Sequence, residues 1–184
     1  MPFYVRLIKG DEWDSVSSTT GEDTSFPATV LTDVLDTQGE TSVWAIPALQ
    51  TDNRKPNLEG REMARIVAAL HLPPVDNLSE MTFRIISDFR LDRLGLKKRQ
   101  SGGTSLIDTG LNASGTHWII MTPTVREGIL LAKGLTHVEP ITFSRAQVMR
   151  CFSVSLAQNW ISPEKVRSEV VATLNERRPF GISG

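Results

Sequence analysis

The sequence predicts an α+β domain, a mixed β-sheet with helices packed mainly on one face. Three observations lead there. Strand-forming segments dominate the first half of the chain and helix-forming segments its last third. The strand–helix–strand unit at residues 116–143 allows one parallel pair. The 184 residues are 40% hydrophobic and 22% charged, as in ordinary globular chains. At this length roughly 70% of the unfolded surface is buried on folding, so one domain spanning 1–184 needs no covalent staples.

FYVRLI (3–8) alternates and is rich in strand formers, which makes it the first strand. Residues 10–27 are acidic and rich in Ser and Thr, a mobile loop with Trp13 as its anchor. ATVLTDVLD (28–36) and TSVWAIPAL (41–49) read as a hairpin about Gly39. Val30, Leu31, Val34 and Leu35 also fall at helical spacing, so the first arm has a short helix as its alternative.

Residues 61–72 form a helix with Met63, Ile66, Val67 and Leu70 as its apolar stripe, ended by Pro73 and Pro74. MTFRIIS (81–87) is a strand, followed by a helical turn that Gly95 stops. Residues 97–115 are expected as a second mobile loop. THWIIMTP (116–123) is a strand apolar enough to be central. The helix at 124–135 opens on Thr124 with Glu127 three residues on, a capping box. HVEPITF (137–143) is a strand that Pro140 places at an edge or bulge. Ser144 caps a helix over 145–160, with Val148, Phe152, Leu156 and Trp160 on its buried side. Ser162-Pro163-Glu164 starts the last helix, 162–178, which buries Val166, Val170, Val171 and Leu174.

The lone cysteine, Cys151, precludes a disulfide framework within the chain and lends secretion no support. The N-terminal apolar run is broken by Arg6 and does not read as a signal peptide. No run approaches the ~20 apolar residues of a membrane span. The expected setting is therefore cytoplasmic, with no membrane contact. The net charge of −1 conceals an asymmetry. Residues 1–52 hold nine acids and two bases, whereas residues 53–184 hold twelve acids and eighteen bases. Either one face meets a polyanion or the two segments neutralise each other by packing.

The stretch SGGTSLIDTGLNASGTHW (101–118) invites a reading as a phosphate cradle. Gly110 and Gly115 have P-loop separation, but Thr116 stands where the lysine belongs, and a strand follows instead of a helix. Asp108, Ser114 and His117 are the residue types of a hydrolytic triad, though no G-x-S-x-G elbow is present. His117 is the best single catalytic candidate because an imidazole titrates near neutrality. Ser162 and Lys165 match S-x-x-K without its companion motifs, and a helix cap accounts for Ser162. Cys151 beside Phe152 reads as a packed structural thiol. His71, His117 and His137 are isolated; Asp33, Asp36 and Glu40 could assemble a nuclease-type magnesium site, but Asp36 and Glu40 border the expected turn and read as turn chemistry, so neither a metal nor any other cofactor is expected.

The basic cluster is the remaining signal. Arg90, Arg93, Lys97, Lys98 and Arg99 fall within ten residues, with Gly102 and Gly103 following. Cations beside a Gly/Ser stretch suit a phosphate backbone, but Phe89 alone offers an aromatic ring. These residues make the expected function a non-catalytic binding module, a subunit of a larger assembly. It would contact nucleic acid or an acidic protein surface through residues 90–103, with a protein partner or a homo-oligomer as its assembly. The alternative is a small hydrolase or nuclease built around Asp108 and His117.

Overall fold

The computed structural model describes residues 1–8, 13, 26–35, 39–70, 78–101, 116–161, 164 and 166–176. In chain order its elements are β1 (Phe3–Ile8), α1 (Ala28–Val34), β2 (Glu40–Ile46), α2 (Arg61–Ala69), β3 (Met81–Ser87), α3 (Asp88–Arg93), β4 (Lys98–Gln100), β5 (His117–Met121), α4 (Val125–Leu135), β6 (Ile141–Phe143), α5 (Arg145–Ala157) and α6 (Ser168–Glu176). The strands form one six-stranded sheet in the order β4-β5-β2-β1-β3-β6. The class is α+β, as the sequence predicts.

Every pairing among these strands is antiparallel. The pairings make β5 and β6 run in the same direction, as a strand–helix–strand unit should. However, β2, β1 and β3 lie between them, so the parallel pair expected within 116–143 does not form.

The helices divide between both faces of the sheet instead of packing mainly on one. Phe3, Val5, Phe83 and Ile85 join Met63, Ile66 and Val67 of α2, Val148 and Phe152 of α5 and Leu174 of α6 in one core. Tyr4, Ile8, Val43, Ile86 and Ile120 join Val30 and Val34 of α1, Leu91 of α3 and Leu131 and Leu135 of α4 in the other. The cause is visible in FYVRLI and MTFRIIS, whose apolar residues occupy both parities and so must be covered twice.

Three further expectations are corrected. Residues 28–34 are helix α1 and not a strand of a hairpin. Its spacing buries Val30 and Val34 completely, and packing on the second face overrides the strand preference of Val and Thr. Residues 98–100, expected in a loop, pair with β5 as edge strand β4. The last helix begins at Ser168. Ile161 and Val166, which flank the expected helix start, are both buried. Ser162 lies outside the described residues, as does Lys165.

The predicted caps are present. Thr124 Oγ1 accepts from Glu127 N–H, and Ser144 Oγ accepts from Gln147 N–H, each with the reciprocal side-chain bond. After α5, Asn159 takes φ 55, a conformation that Asn tolerates at helix ends. Trp13 is fully buried, consistent with its role as an anchor. The remainder of 10–25 lies outside the described residues. No helix among the described residues is long and apolar enough to cross a membrane.

Candidate ligand groove

A groove of about 980 Å³ opens where β3 runs into α3, at the upper end of the roughly 300–1,000 Å³ typical of ligand sites. Its apolar floor comes from Phe3 of β1, Ile85 and Ile86 of β3, and Ile141 of β6. Its rim combines two segments distant in sequence. One is the loop after β2, carrying Asn53, Arg54, Lys55 and Asn57. The other is α3, carrying Phe89 and Arg90. His137 and Val138 close the side next to β6.

The loop is folded back on itself by backbone bonds. Leu49 N–H donates to Lys55 O at 2.8 Å, and Asn57 N–H donates to Pro47 O at 2.9 Å. Arg54 N–H donates to Asp52 Oδ1 at 2.9 Å, an Asx turn that sets Arg54 and Lys55 at the tip. The facing helix α3 is sorted by its own periodicity. Asp88 and Asp92, four apart, turn to Lys98 of β4. Phe89 and Arg93, also four apart, stack with the Arg93 guanidinium 5.7 Å from the ring centroid. Arg90 lines the groove.

The electrostatics of the rim are one-sided. Arg54, Lys55 and Arg90 face the single lining acid Glu59. Lys55 also approaches Asp52 at 3.9 Å, an exposed pair of little energetic weight. Arg90 Nε is buried without a hydrogen-bond partner among the described residues. Burial, and then the neighbouring Arg93, pulls the Arg90 guanidinium down from its ordinary pKa; arginine stays cationic at neutral pH regardless. Phe89 and Val138 are 55% and 50% exposed, so apolar surface lies open beside the cations.

The five expected cations of the basic segment therefore part ways. Lys98 bonds Asp88 and Asp92. Burial lowers the Lys98 ammonium's pKa, but its hydrogen bonds to these two carboxylates outweigh burial and hold it raised. Arg99 pairs with Glu40 at 2.8 Å. Arg93 and Lys97 are exposed, and Arg90 lines the groove. Gly102 and Gly103 lie outside the described residues.

His117 is half-buried and stacks on Trp44, with centroids 5.3 Å apart. Its Nε2 is buried with no partner among the described residues. Burial, and then Arg99, lowers its pKa, which leaves the imidazole neutral at neutrality. Asp108 and Ser114 lie outside the described residues. Asp33 serves Arg6 and Trp13, Glu40 serves Arg99, and Asp36 lies outside the described residues. No group of three His, Cys, Asp or Glu that could hold a metal occurs among the described residues.

The groove was not legible in the sequence because its parts are far apart along the chain. The basic run at 90–99 signalled Arg90. The turn-rich QTDNRKPNLEG signalled an exposed Arg54 and Lys55, but nothing local ties them to a residue more than thirty positions away. Comparison with protein-family models, curated proteins and solved structures finds no match to this chain.

Proposed function

We propose that this chain is a non-catalytic binding module that takes an acidic segment of a protein partner in the groove between the 53–59 loop and α3. The observation that carries this reading is the convergence of Arg54, Lys55 and Arg90 on an apolar floor. Cations around an apolar slot suit a ligand that brings carboxylates and apolar side chains together. Nucleic acid is the weaker occupant. Base stacking normally uses several rings, and the exposed ring here, Phe89, is already stacked by Arg93. Lys98 and Arg99 are occupied by acids of the same chain. Among the described residues the hydrolase reading has His117 alone.

The test is binding of labelled polyglutamate and of a labelled single-stranded oligonucleotide, each at low and high salt. The double variant Arg54→Glu/Arg90→Glu is measured beside the native chain. Salt-sensitive polyglutamate binding that the double variant abolishes is the expected result. Polyglutamate binding that survives the double variant, or an oligonucleotide that binds more tightly than polyglutamate, overturns the proposal.

A further inference from the structure

The groove follows a length of sheet edge that is unpaired among the described residues, and this identifies how a ligand would lie in it. Asp88 N–H donates to Pro2 O at 3.1 Å. This pair extends the β1–β3 register, in which Phe3 faces Ser87 and Tyr4 faces Ile86. Hydrogen-bonded pairs alternate along an antiparallel ladder, so the Pro2–Asp88 bond sets the phase. Ile86 and Arg84 turn their backbone groups toward β1. Ile85 and Ser87 turn theirs the other way, toward the side of β6.

On that side β6 pairs with β3 only from Met81 to Phe83. Ile141 is the last residue of β6 in register with β3, and Pro140 stands immediately before it. Among the described residues no strand continues past Phe83, although β3 runs on to Ser87. The groove occupies this vacated line. It is lined by Ile85 from one face of the sheet and Ile86 from the other, by Ser87, and by His137 and Val138 where the chain has left the sheet.

We infer that the groove accepts its ligand as an extended peptide, which adds a short strand to the free edge of β3 at Ile85 and Ser87. The inference rests on the binding reading above and specifies its partner as a linear segment in which acidic and apolar residues alternate. Main-chain bonds to the β3 edge would supply affinity, and alternate side chains would supply specificity. Apolar side chains meet Phe3 and Ile85, while carboxylates meet Arg54, Lys55 and Arg90. The net positive rim favours this occupant over a neutral or basic segment.

The probe is a short labelled peptide of alternating glutamate and valine, followed by fluorescence anisotropy. A second peptide of the same sequence is methylated at its central backbone amides, which keeps its charge and removes its donors. On the protein side, Ser87 has φ −78 and ψ 151, so proline fits there without strain. Ser87→Pro removes the outward N–H together with the helix cap, whereas Ser87→Ala removes only the cap. The unmethylated peptide should bind Ser87→Pro about fivefold more weakly than Ser87→Ala. Methylation should weaken binding to the native chain by about tenfold or more.

Equal binding of both peptides, with no difference between the two Ser87 variants, overturns strand addition but leaves the acidic-ligand reading standing. Binding of polyglutamate without binding of the alternating peptide does the same. If neither ligand binds, both proposals fall. Should Ser87→Pro not fold, the methylated peptide against the native chain decides the question.

Discussion

Arg6 and Arg84 sit directly opposite each other on β1 and β3, two cations on the same face of the sheet. Arg6 donates to Asp33 Oδ1 at 2.8 Å and to Ser42 O at 3.0 Å. Arg84 is 2% exposed, donates to Val138 O and lies 5.6 Å from the Trp13 ring centroid. Trp13 in turn donates its indole N–H to Asp33 Oδ2 at 3.1 Å. Asp33 therefore ties α1 to the sheet and holds Trp13 against the arginines. Removing the acid leaves two neighbouring cations with less compensation, and a broken near-buried pair is costly. Asp33→Ala should lower unfolding stability by about 2–3 kcal/mol, discounted for partial exposure. Urea denaturation measures it, and a loss below about 0.5 kcal/mol would remove Asp33 from this role.

Gly39 makes a sharper steric prediction. It has φ 66 and joins α1 to β2. An added Cβ would lie 2.8 Å from Pro123 Cα, a backbone atom that cannot rotate away. Gly39→Ala combines left-handed strain with a main-chain collision, so a loss of about 2–3 kcal/mol is expected. Gly95 also has positive φ but meets no atom within 4 Å. Gly95→Ala should therefore cost only the conformational part, about 1 kcal/mol. Equal losses at the two sites would refute the steric argument.

His117 should give the fold an acid-side pH dependence. Its ordinary pKa is 6.5, and burial followed by Arg99 lowers it in the folded chain. Below about pH 6.5 the unfolded chain then binds more protons than the folded one, so stability falls as pH drops toward the depressed folded value. The urea midpoint should decline between pH 7 and about pH 5, and His117→Gln should flatten that decline. An unchanged slope in the variant would assign the pH dependence to other groups.

Tyr4 is the only tyrosine in the chain, so its ionisation is directly observable. Burial first, and then the charge and hydrogen bond of Asp88, raises its pKa well above the ordinary 10. The tyrosinate absorbance should stay absent through the ordinary range in the native chain and appear on unfolding. Asp88→Asn should bring ionisation to lower pH while leaving the contribution of burial. Titration of the native chain at the ordinary value would mean that the Tyr4 hydroxyl is open to solvent.

The parts of this molecule that were legible in the sequence are those determined locally. The capping boxes at Thr124 and Ser144 and the stripe of Met63, Ile66 and Val67 depend on neighbours three or four residues away. Residues 28–34 misled because Val and Thr favour strands while their spacing favours a helix, and packing against α4 decided the matter. β4 was hidden because three polar residues at an edge have no apolar pattern to display. The basic segment was legible as charge but not as geometry. Only the fold shows that Lys98 faces acids on α3, that Arg99 faces Glu40, and that Arg90 faces the groove.

That separation yields the last prediction. Lys98 lies between Asp88 and Asp92 and close to the Tyr4 ring, so its role is to hold α3 against the sheet. Lys98→Ala should lower stability by about 1 kcal/mol and leave binding of acidic peptides unchanged. Arg90 shows the opposite balance. It has no ion pair among the described residues, and its Nε is buried without a partner, so the fold gains little from its charge. Arg90→Ala should change stability by about 0.5 kcal/mol or less and weaken acidic-peptide binding by about tenfold. Urea denaturation and anisotropy on the same two variants measure both quantities. If Lys98→Ala weakened binding as much as Arg90→Ala, the whole basic segment would be the contact surface. The groove would then lose its claim to be the site.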